Sequence, residues 1–167
     1  MRLLTRGALA EMRTLLLELR PEALADARMD DLLGQLGRVL AGRTGAQVTL
    51  EIEGQAALPS AVKAALYRIA QEAMNNIARH ADAAQVEVHY YAAPGWARLL
   101  IRDDGCGFDV DSVERNHFGL QNMRERAAAI GARLEITSQP GAGAQIVVEW
   151  VEEHTHAGET DPCPDCG

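Results

Sequence analysis

Three polar residues, Glu72, Asn76 and His80, are spaced four apart in one stretch of this sequence. Residues spaced by four lie on one side of an α-helix, so a carboxylate, an amide and an imidazole would line up there. Spacing alone leaves two interpretations open: an ordinary solvated helix face, which is the commoner case, or a site for a divalent metal ion and phosphate groups. A site for a divalent metal ion needs few protein ligands, because Mg²⁺ prefers oxygen donors and keeps phosphates and waters in its shell.

A second candidate segment reads Asp-Asp-Gly-Cys-Gly-Phe over residues 103–108 and follows an apolar stretch. A carboxylate at the end of a strand, here Asp103, can accept a hydrogen bond from an exocyclic amine such as that of adenine. Glycines at alternate positions, Gly105 and Gly107, leave room for a flat base to approach the backbone. Because loop glycines more often simply make turns, this segment is a weak signal by itself.

Two later segments also contain glycines that suit a phosphate or nucleotide site. Gly119 and Leu120 begin a helical pattern, and the start of a helix offers free backbone N–H groups and a positive dipole end to an anion. The alternative there is a plain N-terminal turn. Gly141-Ala142-Gly143 indicates first a hairpin turn, and only second a wall of a nucleotide site.

The elements that position these residues follow from hydrophobic periodicity. Helical patterns cover residues 3–19, closed by Pro21, residues 32–40, closed at Gly42 or Gly45, residues 59 to about 81, and residues 118–130, closed by Gly131. Alternating or buried apolar runs predict strands over residues 47–53, 85–91, 96–101 (running into Asp103), 133–137 and 144–151.

The order of these elements predicts an α/β fold. Short links between the strands after the long helix favour antiparallel pairing, with the helices packed on one face. We therefore predict a two-layer α/β sandwich with a mixed, mostly antiparallel sheet. Its domain organisation would be an N-terminal helix in residues 1–21, a globular domain in residues 22–151 and an acidic tail in residues 152–167.

Composition narrows the class of protein. Of the 167 residues 47% are hydrophobic, enough for a core, and the net charge of −8 argues against a direct nucleic-acid binder. No apolar run approaches the ~20 residues of a membrane-spanning helix. The sequence therefore predicts a cytoplasmic domain, in a full-length protein that an absent sensor region could anchor in a membrane.

The tail carries four residues that are potential Zn²⁺ ligands: His154, His156, Cys163 and Cys166. Four such ligands within thirteen residues could bind Zn²⁺ tetrahedrally. One Cys-x₂-Cys pair in a tail is also common by chance, and short Cys/His tracts are a compositional signal only. Both interpretations stay open.

In their order and spacing, the four segments resemble the catalytic (ATP-binding) domain of sensor histidine kinases. That family belongs to the wider superfamily of gyrase, heat-shock chaperone and mismatch-repair ATPases, which share the Bergerat-type fold. Within it, the sequence is most similar to the subfamily that partners response regulators of LuxR output type. The resemblance rests on ALYRIAQEA at residues 65–73, DDGCGF at residues 103–108 and FGLQNMRERA at residues 118–127.

The resemblance implies a role for each matching position. Asn76 would be the Mg²⁺ ligand, with Glu72 one turn earlier as a support or base in the metal's water shell. Residues 109–117 would form a short lid over ATP. The remaining nucleotide-binding positions that it implies are Arg79 and His80 near the phosphates, Asp103, Gly105, Gly107 and Phe108 around the base, Gly119 and Leu120 beneath the lid, and Gly141 and Gly143 on the far wall.

Two departures from the family pattern bear on function. Ala144 stands where the family usually has Thr, and no His precedes His80, so the phosphoacceptor histidine is missing. The helix at residues 3–19 would be the second helix of the dimerisation hairpin, and the full-length protein a homodimer. We expect a protein histidine kinase domain that transfers the ATP γ-phosphate to a hairpin outside this sequence. The alternative is a non-catalytic ATP-binding switch or an anti-sigma-type kinase of the same fold.

Overall fold

The structure of the chain is a computed structural model that describes residues 27–54, 56–110 and 118–152. The helices in these residues are α1 (Met29–Thr44), α2 (Ser60–Asn76) and α3 (Phe118–Ala129), and a π-helical turn, Ile77–Ala81, continues α2. The strands are β1 (Gln47–Glu53), β2 (Gln85–Ala93), β3 (Trp96–Asp103), β4 (Arg133–Ser138) and β5 (Ala144–Val151).

The five strands form one sheet in the order β1-β2-β3-β5-β4. β1 pairs with β2 in parallel, with Gln47 opposite Gln85, and the other three pairings are antiparallel. β5 therefore lies inside the sheet and β4 at its edge. The prediction of a mixed, mostly antiparallel sheet is confirmed.

One face of the sheet is buried beneath the helices. Alternate residues of β2 and β3 are buried, because successive side chains of a strand point to opposite faces. They meet the apolar stripes of the helices, in which Leu33, Leu66, Ile69 and Met123 are 0% exposed. The structure is thus the predicted two-layer α/β arrangement, with a single core between sheet and helices.

The end of the long helix differs from the prediction. The sequence predicts one helix to about Ala81, but the α-helix ends at Asn76 and a π-helical turn completes the span. Asp82 then takes a left-handed conformation, φ 50°, and terminates the turn. The Ala81 carbonyl, which as the last of the span has no partner within the helix, accepts a 2.7 Å hydrogen bond from the N–H of Cys106. Helical periodicity cannot anticipate this contact.

Glycine ends α1 as the sequence predicts. Of the two candidates, Gly45 has the left-handed conformation, φ 78°, and its N–H donates to the Ala41 carbonyl at 2.8 Å. Gly131, φ 66°, follows α3 in the same way.

Three predicted features lie outside the described residues: the helix at residues 3–19, the acidic tail from residue 153 onward, and residues 111–117 of the lid. Within the described ranges, none of the helices combines the length and apolar character needed to cross a bilayer.

Candidate functional site

A cavity of about 240 Å³ opens between the C-terminal end of α2, the end of β3 and the start of α3. Most of its wall is apolar. Its lining residues are Ala73, Asn76, Ile77, His80, Ala81, Ile101, Asp103, Cys106, Gly107, Phe108, Gly119, Leu120, Ala144 and Ile146. Three of the four segments singled out in the sequence contribute to this wall, although they lie far apart in the chain.

Asp103 places a carboxylate in this apolar wall. Among the described residues it is the one charged side chain that is buried, at 6% exposure. Burial raises the pKa of the Asp103 carboxyl, and hydrogen bonds from the backbone N–H groups of Gly105 and Ala144 oppose that rise. The Gly105 bond is 2.9 Å long and fixes one carboxylate oxygen. The cavity therefore contains a positioned hydrogen-bond acceptor shielded from water.

The loop after Asp103 is held against the end of the long helix. A β-carbon on Gly105 would collide with the carbonyl oxygen of Ala81. Next to it, the Cys106 N–H donates to that same oxygen, and the Cys106 thiol lies 3.0 Å from the His80 carbonyl oxygen. The sequence predicts that the missing side chain of Gly105 leaves room for a base to approach the backbone. In the structure, the space its side chain would take is filled by the helix backbone.

The loop is also held against the β4–β5 turn. A β-carbon on Gly107, φ 59°, would collide with the Gln139 carbonyl oxygen, and one on Gly143, φ 72°, with the Asp103 carbonyl oxygen. Both glycines therefore serve close backbone packing in conformations that L side chains rarely adopt. The β4–β5 turn, which contains Gly143, thereby supports the loop that follows the buried carboxylate of Asp103.

Ser138, at the end of β4, also connects this loop with the β4–β5 turn. The sequence did not predict a role for this residue. Its hydroxyl accepts a 2.9 Å hydrogen bond from the Phe108 N–H and donates at 2.8 Å to the Gly143 carbonyl. The Gly141 N–H donates to the Cys106 carbonyl at 2.6 Å alongside. The available signal was a small hydroxyl residue just before a Pro-Gly turn, a position from which Ser often bonds to backbone.

Glu72, Asn76 and Gly119 meet where α2 and α3 cross. A β-carbon on Gly119 would collide with the Glu72 carboxylate and lie 3.4 Å from the side-chain nitrogen of Asn76. The absence of a side chain at Gly119 thus lets the start of α3 approach both polar residues. Asn76 also lines the cavity, so it connects this crossing with the apolar pocket.

The remaining predicted positions fall into two groups. His80, Phe108 and Leu120 line the cavity, with Leu120 buried and His80 exposed. Other positions are not part of its lining: Glu72, Arg79, Gly105, Gly141 and Gly143. Arg79 is exposed next to His80 on the π-helical turn.

The predicted tail ligands His154, His156, Cys163 and Cys166 lie outside the described residues. Within the described part of the chain, His, Cys, Asp and Glu form no group of three or more that could hold a metal ion. An oxygen-preferring ion that keeps water and phosphate in its shell does not require such a group.

The chemistry of the cavity suits a flat heteroaromatic ring that carries an amine. Ile77, Ile101 and Ile146 offer apolar surface for the faces of a ring, and Asp103 offers an acceptor for an exocyclic N–H. Asn76 offers an amide at the side of the cavity nearest α3. Ala144 lies in the wall without the hydroxyl that a Thr would supply there.

Comparison with known proteins bears on this site directly. Residues 61–154 match the family described as histidine kinase-, DNA gyrase B-, and HSP90-like ATPase. The matched range contains every described residue that lines the cavity.

The chain is also similar in sequence to bacterial sensor proteins. The sensor protein VraS of Staphylococcus saprophyticus is 38% identical over 139 residues, which cover 83% of this chain and 40% of that protein. VraS of Staphylococcus aureus strain COL matches with the same identity and coverage. The chain thus spans about 40% of the length of these relatives.

Solved structures share the fold. The mycobacterial sensor histidine kinase MprB superposes with a TM-score of 0.58 at 21% identity, covering 75% of this chain and 95% of that one. The ATP-binding domain of PrrB from Mycobacterium tuberculosis gives a TM-score of 0.58 at 20% identity, covering 76% and 96%. At these identities the likeness establishes the architecture alone.

Proposed function

This chain belongs to the family of histidine kinase-, DNA gyrase B- and HSP90-like ATPases, and from that premise we propose that it is the ATP-binding catalytic domain of a two-component sensor histidine kinase. The observation that carries the proposal is the buried carboxylate of Asp103 in an otherwise apolar cavity. The domain works in the cytoplasm, where ATP is available.

Adenine occupies the apolar part of the cavity in this proposal. Its exocyclic amine donates to Asp103, whose carboxylate is already oriented by the Gly105 N–H. Ile101 and Ile146 cover the ring, and the Gly107–Phe108 segment closes one side. A buried acceptor discriminates strongly, because a base without the amine would leave it unpaired.

The phosphates extend toward α3. Gly119 and Leu120 lie in the first turn of this helix, whose free N–H groups and positive dipole end attract phosphate oxygens. His80 in the cavity wall, and the exposed Arg79 next to it on the π-helical turn, would add donors to the phosphates. Asn76 would hold Mg²⁺ through its amide oxygen, and the bound ion would neutralise phosphate charge. Glu72, close to Gly119, would orient water in that region.

Phosphoryl transfer requires mainly positioning and charge neutralisation from the protein. In the full-length homodimer, an imidazole nitrogen of a separate helical hairpin attacks the γ-phosphorus of ATP. A P–N bond forms, the bond to the β–γ bridging oxygen breaks, ADP leaves, and the imidazole loses its N–H proton to solvent or to Glu72. The phosphoryl group then passes to a response regulator of LuxR output type.

Calorimetric titration of the whole chain with Mg-ATP and Mg-ADP tests the binding half of the proposal. We expect 1:1 binding, and well-folded protein that gives no binding heat with either nucleotide would overturn it. Incubation with Mg-ATP and a supplied acceptor hairpin tests the catalytic half, and acid-labile phosphohistidine is the expected product. Tight binding without any product would instead favour the ATP-binding switch.

A further inference from the structure

Asp104 follows the buried Asp103 directly, but its own side chain is exposed and does not line the nucleotide cavity, the cavity that contains the Asp103 carboxylate. One oxygen of the Asp104 carboxylate accepts 2.8 Å hydrogen bonds from the backbone N–H groups of both Ala84 and Gln85. The Asp104 N–H donates to the Gln85 carbonyl at 3.2 Å. Three hydrogen bonds from one residue therefore hold the segment after β3 against the start of β2.

A link of three residues, 82–84, joins the π-helical turn to β2. At its start Asp82 has φ 50°, and among the described residues no other residue except glycine has a positive φ. A residue other than glycine keeps such a conformation only where the surrounding structure holds it. The two N–H groups that Asp104 binds belong to the last residue of this link and the first residue of β2. Asp104 therefore supports the chain just after its strained point.

The loop that starts with Asp104 also holds the other end of the link. The Cys106 N–H donates to the Ala81 carbonyl at 2.7 Å, and the Cys106 thiol lies 3.0 Å from the His80 carbonyl oxygen. His80, Ala81 and Cys106 all line the nucleotide cavity. A shift of the link would therefore move the part of the cavity wall that the π-helical turn provides.

A simpler role for such a contact is to stabilise the fold, and Thr44 has a contact of that kind. Its hydroxyl donates to the Leu40 carbonyl at 2.9 Å and accepts a 3.1 Å hydrogen bond from the Ala46 N–H at the end of α1. Thr44 does not line the nucleotide cavity. A substitution there removes a comparable acceptor for a backbone N–H, so comparison with Thr44 distinguishes positioning of the site from general stability.

We propose that Asp104 is a positioning residue of the nucleotide site. By binding the N–H groups of Ala84 and Gln85, it fixes the link and, through it, the place of His80 and Ala81 in the cavity wall. Asp103 would then contact the base, while Asp104 acts only through the backbone. The effect on ATP rests on the function proposed above, whereas the effect on the link does not.

Amide hydrogen exchange of the whole chain without nucleotide tests the effect on the link. In Asp104→Ala the Cys106 N–H should exchange about 10-fold faster than in wild type, because its bond to the Ala81 carbonyl opens more readily. Asp104→Asn should stay within about 2-fold of wild type, since an amide oxygen can accept from both N–H groups. Asp104→Glu keeps the charge but moves the oxygens by one methylene group. It should also exchange faster, and it replaces the alanine variant if that variant fails to fold.

Calorimetric titration with Mg-ATP tests the effect on the nucleotide site. Asp104→Ala should bind about 5- to 10-fold more weakly than wild type, because the cavity wall is no longer held in place. Asp104→Asn should restore the affinity. Thr44→Ala is the matched control, and it should lower the unfolding midpoint while leaving the affinity within about 2-fold of wild type.

Three results would overturn the proposal. One is an unchanged exchange rate of the Cys106 N–H in Asp104→Ala and Asp104→Glu. Another is an equal loss of ATP affinity in Thr44→Ala, because the loss would then follow from general destabilisation. The third is a loss in Asp104→Asn as large as in Asp104→Ala, because the charge and not the acceptor would then matter. If the wild type bound no ATP, the proposed function would fail, but the exchange rates would still decide whether Asp104 holds the link.

Discussion

The backbone N–H of Cys106 donates a 2.7 Å hydrogen bond to the carbonyl oxygen of Ala81. This bond joins the loop after Asp103 to the π-helical end of the helix that carries Asn76. The candidate adenine acceptor and the candidate metal ligand are thus positioned by each other through the protein backbone.

Asp103→Asn should weaken Mg-ATP binding by about 10- to 100-fold, because a charged, buried acceptor for the adenine amine is lost. The fold should survive, since the amide oxygen of Asn can still accept from the Gly105 N–H. Calorimetry of the variant and the wild type checks the affinity.

The pH dependence of stability gives an independent check on Asp103. Burial raises the pKa of this carboxyl, so the folded protein binds the proton more tightly than the unfolded chain. The stability contributed by the group is therefore present at acid pH and is lost as the pH rises through the raised pKa. Asp103→Asn lacks this loss, so its free energy of unfolding relative to wild type should increase from acid to neutral pH. A relative decrease in urea titrations over that range would contradict the burial argument.

Asn76→Ala should abolish the Mg²⁺-dependent part of ATP affinity, an effect of about 10-fold or more. Its neighbour supplies a matched control. Asn75 accepts a 3.4 Å hydrogen bond from Arg43 and does not line the nucleotide cavity, so Asn75→Ala should keep the Mg²⁺ dependence. Titrations with and without Mg²⁺ distinguish the variants, and equal Mg²⁺ dependence in both would place the metal elsewhere.

Gly119→Ala should displace the Glu72 carboxylate, which its methyl group would meet, but lower the free energy of unfolding by less than about 1 kcal/mol, because the contact is with the end of a flexible side chain that can rotate away. Gly42, in α1, has open space around the position of its missing β-carbon. Gly42→Ala should instead raise stability by about 0.5–1 kcal/mol, the usual gain of replacing glycine within a helix. Urea denaturation measures both, and a loss of more than about 2 kcal/mol in Gly119→Ala would show that the Glu72 side chain cannot move aside.

Ser138→Ala should cost about 1–3 kcal/mol, because the Phe108 N–H and the Gly143 carbonyl both lose a partner in a half-buried place. ATP affinity should fall a few-fold with it, since the loop beside the adenine cavity loses its brace. Thr137→Ala is the control, because Thr137 is exposed and faces away from the core. If both variants unfolded at the same urea concentration as wild type, Ser138 would have no bracing role.

The sequence alone predicted the elements and the placement of the buried carboxylate. Alternation predicts β1 over residues 47–53 and β5 over residues 144–151, and the structure has both with these bounds. Asp103 ends β3, in agreement with the prediction of a buried strand over residues 96–101 that runs into this residue. The family match likewise confirms the histidine kinase-like ATPase domain predicted from the four segments, while the LuxR-type subfamily and the individual roles of Asn76, Arg79 and the glycines stay predictions.

Tertiary structure alone decided how these pieces meet. Local sequence patterns could not predict four features of the structure. These are the π-helical turn, the place of β5 between β3 and β4, the bracing role of Ser138, and the backbone contacts that require Gly105, Gly107 and Gly143. The physical reason is that periodicity reports which face of an element is buried. It carries no information about which distant backbone atom covers that face, and in this domain such atoms set the shape of the candidate site.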